Sequence, residues 1–382
     1  MFRPAAGGTD QRGTMAARKE MKIVVSDLHL GVGTLPGQVN PYEDFHQDDR
    51  FTELIAHYSK GEYAGLPVEL IINGDFLDLL KVPYRGAFVT EVTEDISLEK
   101  VRRCIRGHPR VFDALAEFLK NPMHRLTYIV GNHDLDVAFS RVQGMMLARL
   151  GTNEDQDRVQ FLTDQEFYRL PGGVVVTHGH MFEEINRTES GAPIRTLEDG
   201  QDVVNMPWGS LFFSNVLAPV KAERPVIDLV HPLSSFILWG LVFDVRFTLR
   251  ILWNMARFFI TTRLKTIYVR QMDIIKTLKI LGEEVAFYNN LERRASRLLR
   301  SADEITALIV GHSHEAAVKR FPHNKVYVNT GTWIQMVSLS LPNLGTTNRL
   351  TYAEVDYRET GPPSVRLLRW RGKMRTHEEL VV

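Results

Sequence analysis

Six short runs of aliphatic and β-branched residues each end in polar side chains, and most of these can bind a metal. Lys22 to Val25 leads into Ser26-Asp27-Leu28-His29, Val68 to Ile72 into Asn73-Gly74-Asp75, and Leu126 to Val130 into Gly131-Asn132-His133-Asp134. Val174 to Thr177 leads into His178-Gly179-His180, Ala307 to Val310 into Gly311-His312-Ser313-His314, and Val326 to Val328 into Asn329-Thr330-Gly331. Runs this short and this apolar suit strands buried on both faces. Between them lie helical spacings, at Phe51, Leu54, Ile55 and Tyr58 and again at Val111, Leu115, Phe118 and Leu119. Strand and helix in alternation predict sheets covered by helices, with ligands gathered beyond the carboxyl ends of the strands. The segments Leu350 to Glu359 and Ser364 to Arg371, around Gly361-Pro362-Pro363, read as a strand pair closing a second sheet.

Composition removes several function classes. Lys plus Arg and Asp plus Glu are 46 each, so the basic excess of a bulk nucleic-acid binder is missing. Cys104 is the single cysteine, which excludes an internal disulfide and a thiolate metal cluster and fits a reducing cytoplasm. Residues 1–20 contain no apolar stretch of a secretory signal and are expected to be disordered, with Met15 or Met21 as alternative starts. The expected organisation is a core of residues 21–200 and 301–375 with a helical insertion or lid at 201–300.

Asp27, His29, Asp75, Asn132, His178, His312 and His314 are all oxygen or imidazole donors. Such a sulfur-free set suits Mn, Fe or Zn, with Mn the expected metal. Seven donors are too many for one tetrahedral ion and enough for two sharing a carboxylate, about 3.5–4 Å apart. Residues i and i+2 of an extended segment point the same way, so His312 and His314 can address neighbouring ions, with Gly311 letting the backbone approach. Two divalent ions, two aspartates and a bridging hydroxide leave the site at about +1, a field that attracts phosphate and stabilises its transition state.

The ordered set Asp27-Leu28-His29, Gly74-Asp75, Gly131-Asn132-His133-Asp134, His178 and Gly311-His312-Ser313-His314 resembles the calcineurin-like metallophosphoesterase superfamily. The resemblance implies an α/β fold, an αββα sandwich of two mixed sheets flanked by helices, with a two-metal site at the sheet edges. It implies that Asp27, His29, Asp75 and His314 hold one metal and that Asp75, Asn132, His178 and His312 hold the other. A metal-bridging hydroxide would attack phosphorus. His133 would bind phosphate and protonate the leaving oxygen, with Asp134 or Asp78 orienting its ring. Asn132, His133 and His180 are the expected substrate contacts, His180 backing a ligand or facing substrate. Residues Asn329 to Trp333 read equally as a pocket rim or a turn beside a core strand.

The 130 residues between His180 and Gly311 exceed any tight connection. Asn205 to Val220 and Leu229 to Ile260 are rich in Phe, Trp, Leu and Met, and Arg246 to Lys279 holds eight Lys or Arg against one acidic residue, Asp273. The uncharged stretch Pro232 to Phe243 has 12 residues, short of a membrane span. Arg246, Arg250 and Arg257 form a stripe on a helix whose apolar residues include Phe247, Ile251, Met255, Phe258 and Phe259. Two readings follow, a helix in a membrane interface and a buried helix with arginines lining a cleft. Ile274 to Arg300 reads as an amphipathic helix pair that could close over the site.

The sequence lacks the Gly-Asp-x-Val-Asp-Arg-Gly pattern of protein Ser/Thr phosphatases and, with His29 present, departs from purple acid phosphatases. In architecture it looks most like the bacterial UDP-2,3-diacylglucosamine hydrolases, which share Asp-Leu-His-Leu and a helical lipid-binding cap. It departs from them at His133, at His180 and in insertion length. The expected function is therefore hydrolysis of a phosphodiester, pyrophosphate or phosphomonoester. The alternatives are a lipid-linked UDP-sugar pyrophosphate hydrolase peripheral to the inner membrane face, and a non-catalytic metal-binding scaffold.

Overall fold

The computed structural model describes residues 17–35, 37–152, 156–188, 191–231, 233–265, 290–339, 345–372 and 377–379. Its strands are β1 (Arg18–Val25), β2 (Val68–Asn73), β3 (Arg125–Ile129), β4 (Val159–Leu162), β5 (Tyr168–Leu170), β6 (Val174–Val176), β7 (Ile194–Thr196), β8 (Asp202–Val204) and β9 (Val230–His231). They continue with β10 (Ala307–Val310), β11 (Ala317–Phe321), β12 (Lys325–Asn329), β13 (Met336–Ser338), β14 (Gly345–Thr347), β15 (Thr351–Arg358), β16 (Ser364–Trp370) and β17 (His377–Glu379). The helices are α1 (Asp48–Tyr58), α2 (Glu94–Gly107), α3 (Pro109–Leu119), α4 (Ser140–Leu150), α5 (Trp208–Phe212), α6 (Ala218–Lys221), α7 (Leu233–Phe243), α8 (Val245–Lys265) and α9 (Asn290–Ser301).

Two mixed sheets stack face to face, in the orders β17-β16-β15-β1-β2-β3-β4 and β11-β12-β10-β6-β5. The period-two alternation of each strand explains the apolar runs. On β1, Met21, Ile23 and Val25 face the helices, whereas Val24 faces the second sheet; on β2 the helix side takes Val68, Leu70 and Ile72, and the inner side Ile71. From the other sheet, Val174, Val176, Ile309 and Val328 fill the same inner layer. Leu308 and Val310 turn outward, where Leu291, Ala295 and Leu299 of α9 cover them. The result is the αββα sandwich. Each fully buried aliphatic side chain contributes about 1.5–3 kcal/mol to holding these layers together.

Three expectations change. The closing strand pair extends the first sheet rather than the second, because β15 pairs antiparallel with the edge of β1 that β2 leaves open, Ile23 opposite Glu354. Ordered structure begins earlier than residue 21: Arg18 starts β1 and pairs with Glu62 at 2.6 Å, while residues 1–16 lie outside the described ones. In the expected helix pair of Ile274 to Arg300, residues 274–289 lie outside the described residues; α9 is a layer of the sandwich, not a lid, because its apolar stripe meets β10.

Candidate metal centre

The site forms where β1, β2 and β3 of one sheet and β6 and β10 of the other end side by side. The loops are tied to one another through the backbone. Asp27 N donates to Gly74 O at 3.2 Å, His29 N to Asp75 O at 2.9 Å and Gly311 N to His178 O at 2.9 Å. Of nine non-glycine residues at positive φ among the described residues, five are Asp27, His29, Asp75, His312 and His314. Each such position costs on the order of 1–3 kcal/mol, so the fold spends strain where the donors are displayed. Gly311 is required by close approach, since a Cβ there would lie 2.6 Å from Asp27 Oδ2; a Cβ on Gly131 would collide with the Asp75 carboxylate.

The donors converge in overlapping groups. Asp27, His29 and His314 present ligand atoms within 4.8 Å of one another, and so do Asp75, His178 and His312, with His29, Asp75 and His133 linking the two. His29 Nε2 and His314 Nε2 stand 2.9 Å apart, and His178 Nε2 lies 3.2 Å from Asp75 Oδ2. The carboxylates are keyed to neighbouring loops: His312 N donates to Asp27 Oδ2 at 3.0 Å and His133 N to Asp75 Oδ1 at 2.9 Å. Asn132 joins them, 4% exposed, with its Oδ1 buried and without a hydrogen-bond partner among the described residues.

These observations fit a cation pair. Asp27 and Asp75 are buried, and no Lys or Arg pairs with either among the described residues. Burial would raise the Asp75 carboxyl, but the surrounding histidines hold it well below the usual carboxylate range. Burial would lower His178, but Asp75 and Asp27 raise it to about 10. The pocket thus demands positive charge, and a proton supplies it where a metal would. Oxygen and imidazole donors without thiolate suit Mn, Fe or Zn.

Asp78 is the carboxylate behind His133. Its Oδ1 lies 2.9 Å from His133 Nδ1, its Oδ2 lies 3.1 Å from His29 Nδ1, and Lys81 Nζ contacts it at 2.8 Å. Asp134, the other expected orienter, makes no hydrogen bond to the His133 side chain among the described residues. It accepts from Gly131 N at 2.7 Å, Phe76 N at 2.9 Å and Tyr128 Oη at 2.6 Å, so it shapes the loop that carries Asn132 and His133. Burial and the nearby Asp75 push its carboxyl up to about 6.

His180 is buried beside His178, 5.3 Å between ring centroids, and lines a cleft of about 570 Å³ with His178, Met181 and Arg187. Burial, together with His178 and His312, holds its imidazole well below its ordinary value, so it stands neutral. Glu183 and Asn186 were not singled out by the sequence reading. Glu183 Oε2 lies 2.8 Å from His312 Nε2, and Asn186 Nδ2 lies 3.2 Å from the same atom, so the two side chains hold the ring that stands beside Asp75 and His178. Their signal was the run His178-Gly179-His180 continuing into Glu183 and Asn186 one turn on. Thr332 Oγ1 donates to Asp27 O at 2.6 Å and Asn329 Nδ2 to Ser313 Oγ at 2.9 Å, so this stretch buttresses two donor loops rather than forming a rim. The start of the insertion also reaches the centre: Ser210 Oγ donates to Asn132 O at 3.2 Å, and the Phe213 ring lies 5.6 Å from that of His133.

The sequence profile of the calcineurin-like phosphoesterases matches residues 22–239. The chain belongs to that family. The match spans more than half of the 382 residues and contains Asp27, His29, Asp75, Asn132, His133 and His178. Among curated proteins, none matches the chain. Among solved structures, a predicted phosphoesterase from Streptococcus pneumoniae TIGR4 is similar at 11% identity, covering 96% of this chain and 99% of its own, with a TM-score of 0.32. A dimetal phosphatase from Danio rerio is similar at 12% identity, covering 95% and 99%, with a TM-score of 0.38. Wild-type Vps29 from Entamoeba histolytica, complexed with zinc, is similar at 10% identity, covering 94% and 98%, with a TM-score of 0.27.

Proposed function

We propose that this member of the calcineurin-like phosphoesterases hydrolyses a phosphodiester, pyrophosphate or phosphomonoester at the centre described above. The supporting observation is the convergence of Asp27, His29, Asp75, His178, His312 and His314, with Asn132 beside them, around a pocket that demands positive charge. Asp27, His29, Asp75 and His314 would hold one ion; Asp75, Asn132, His178 and His312 would hold a second. Two divalent ions, when bound, lower the pKa of a coordinated water and offset charge on the transferring phosphoryl group.

The chain's own residues supply positioning and proton transfer. Burial would lower His133, but Asp78 and Asp75 raise it above its ordinary value, which favours its protonated form. Asp78 occupies Nδ1, which leaves Nε2 to donate to a phosphate oxygen and then to the leaving oxygen. His133 keeps a side-chain exposure of 17% and so remains reachable by substrate. His180, neutral and lining the cleft, serves as a substrate contact.

The test is hydrolysis of bis-p-nitrophenyl phosphate with Mn, Zn or Fe added, alongside metal analysis of the purified chain. Asp75→Ala and His178→Ala are expected to lose metal and turnover while staying folded; turnover unchanged at matched metal sinks the reading. A chain that binds metal without hydrolysing any of a panel of phosphoesters would be a scaffold. A second reading, cleavage of a lipid-linked UDP-sugar pyrophosphate, draws support from Phe213 of the insertion lying beside His133. Including such pyrophosphates in the panel decides it.

A further inference from the structure

We propose that the helical hairpin α7–α8 docks on an anionic lipid surface, through an apolar stripe different from the one the sequence suggests. Nine of the 13 large apolar side chains exposed in the described structure fall between Leu238 and Ile260. Phe243 at the hairpin turn is 77% exposed, and Trp253 is 69% exposed. With about 100° per residue, α8 divides into three faces. Phe247, Ile251, Met255 and Phe258 occupy one arc of about 80° and pack inward. Phe247 and Ile251 meet Val220 and Ile227, and Phe258 lies 5.6 Å from Trp208. These residues are core and are not available to a membrane. Val245, Leu249, Trp253 and Ile260 share a separate arc of about 80° that is open to solvent. Leu238, Trp239, Leu241, Val242 and Phe243 of α7 are exposed as well.

Charge decides what covers this surface. Arg246, Arg250 and Arg257 lie directly beside the open apolar arc, within about 40° of one another. The nearby acidic groups are already matched: Asp244 pairs with Arg224 at 2.7 Å, and Glu223 pairs with Arg250. Arg246 and Arg257 have no ion-pair partner among the described residues, so the patch carries a net positive edge. Exposed tryptophans, large aliphatics and unmatched arginines on one flank match a bilayer interface with anionic headgroups. No helix among the described residues is long and apolar enough to cross a membrane, so the hairpin would lie in the interface. The inner face of α8 leans on Trp208 and Phe212, next to the Phe213 that faces His133, so docking would seat the hairpin beside the centre.

The test is co-sedimentation of the full chain with vesicles of phosphatidylcholine alone and of phosphatidylcholine mixed with phosphatidylglycerol. Binding is expected to the mixed vesicles and to weaken with salt. The pair Leu249→Glu and Trp253→Glu should reduce binding roughly tenfold or more. The pair Arg246→Gln and Arg257→Gln should remove the preference for anionic lipid. Absence of sedimentation with either vesicle overturns the proposal, and so does binding that the Leu249 and Trp253 changes leave intact. Light scattering supplies the other outcome: a concentration-dependent dimer dispersed by Leu249→Glu and Trp253→Glu would make a second copy the occupant and overturn lipid docking. The inference does not depend on hydrolysis. Asp75→Ala should bind vesicles like the parent, so loss of activity and loss of docking are separable.

Discussion

Asp78 serves two histidines with one carboxylate: it holds His133 through Oδ1 and His29 through Oδ2, with Lys81 beside it. Burial would raise it, but Lys81 and His133 hold it well below the usual carboxylate range, so it stays ionised across the working pH. The two histidines therefore fail in different ways. His133→Ala is expected to keep its metal content, to hydrolyse p-nitrophenyl esters at a moderately reduced rate, and to lose about 10²–10⁴-fold on alkyl esters, whose leaving oxygen needs the proton. Steady-state rates on the two ester classes check this, and equal losses would remove the acid role. A histidine outside the donor set gives a second prediction. Burial would lower His108, but Asp48 and Glu43, at 2.9 and 3.2 Å, raise it to about 9. Because the folded pKa exceeds the unfolded value, the native state binds the extra proton, and the stability gained is complete below about pH 6.5 and lost as pH rises through about 9. The difference is about 3 kcal/mol. Urea melts at pH 6 and pH 9.5 should show that fall in the parent and a smaller one in His108→Gln.

At the scale of elements, the donor loops were legible because each follows an apolar run whose alternation leaves nothing polar to place except at its end. Asp27, Asp75, Asn132, His178, His312 and His314 all emerge where a buried strand stops. What was not legible depends on pairing across distance. Nothing local in Thr351 to Trp370 says that β15 joins β1, since β1 reads as an apolar run whether its neighbour is one sheet or the other. Nor does sequence show that the insertion is bolted to the centre. Lys221 of α6 and Asp228 of the following turn meet Asp44 and Lys81 in one buried cluster, and Lys81 in turn touches Asp78. Two lysines face three aspartates there, so removing one cation strands buried negative charge. Lys221→Met is expected to destabilise the chain by about 3–5 kcal/mol, measured as a lowered urea midpoint. Lys221→Met combined with Asp228→Asn should recover part of that loss, because the charge it strands is gone; a double variant no more stable than the single would show that the cluster is not coupled.

For the whole molecule, the centre is where the two sheets are joined. Asp27, His29, Asp75 and Asn132 come from the ends of β1, β2 and β3, and His178, His312 and His314 from the ends of β6 and β10. Bound ions would therefore fasten the open end of the sandwich, while its interior is held by the inner apolar layer of Val24, Ile71, Val174 and Ile309. A ligand that binds only the folded chain adds about 2.7 kcal/mol when present at a hundredfold its dissociation constant. Chelation should accordingly lower the melting temperature of the parent by a few degrees and leave that of Asp75→Ala unchanged. The size of this drop must depend on pH, and its sign follows from His178. In the stripped protein that imidazole is raised to about 10, so its stabilising proton is fully effective below about pH 6.5 and is lost as pH rises through about 10. Metal binding runs the other way, because the ring has to give up that proton before it can coordinate, and affinity climbs with pH. The gap between loaded and stripped melting temperatures should therefore widen from pH 6 to pH 9. Calorimetry of both forms across that range checks it, and a gap that is constant or narrows would mean that His178 does not take part in holding the metal.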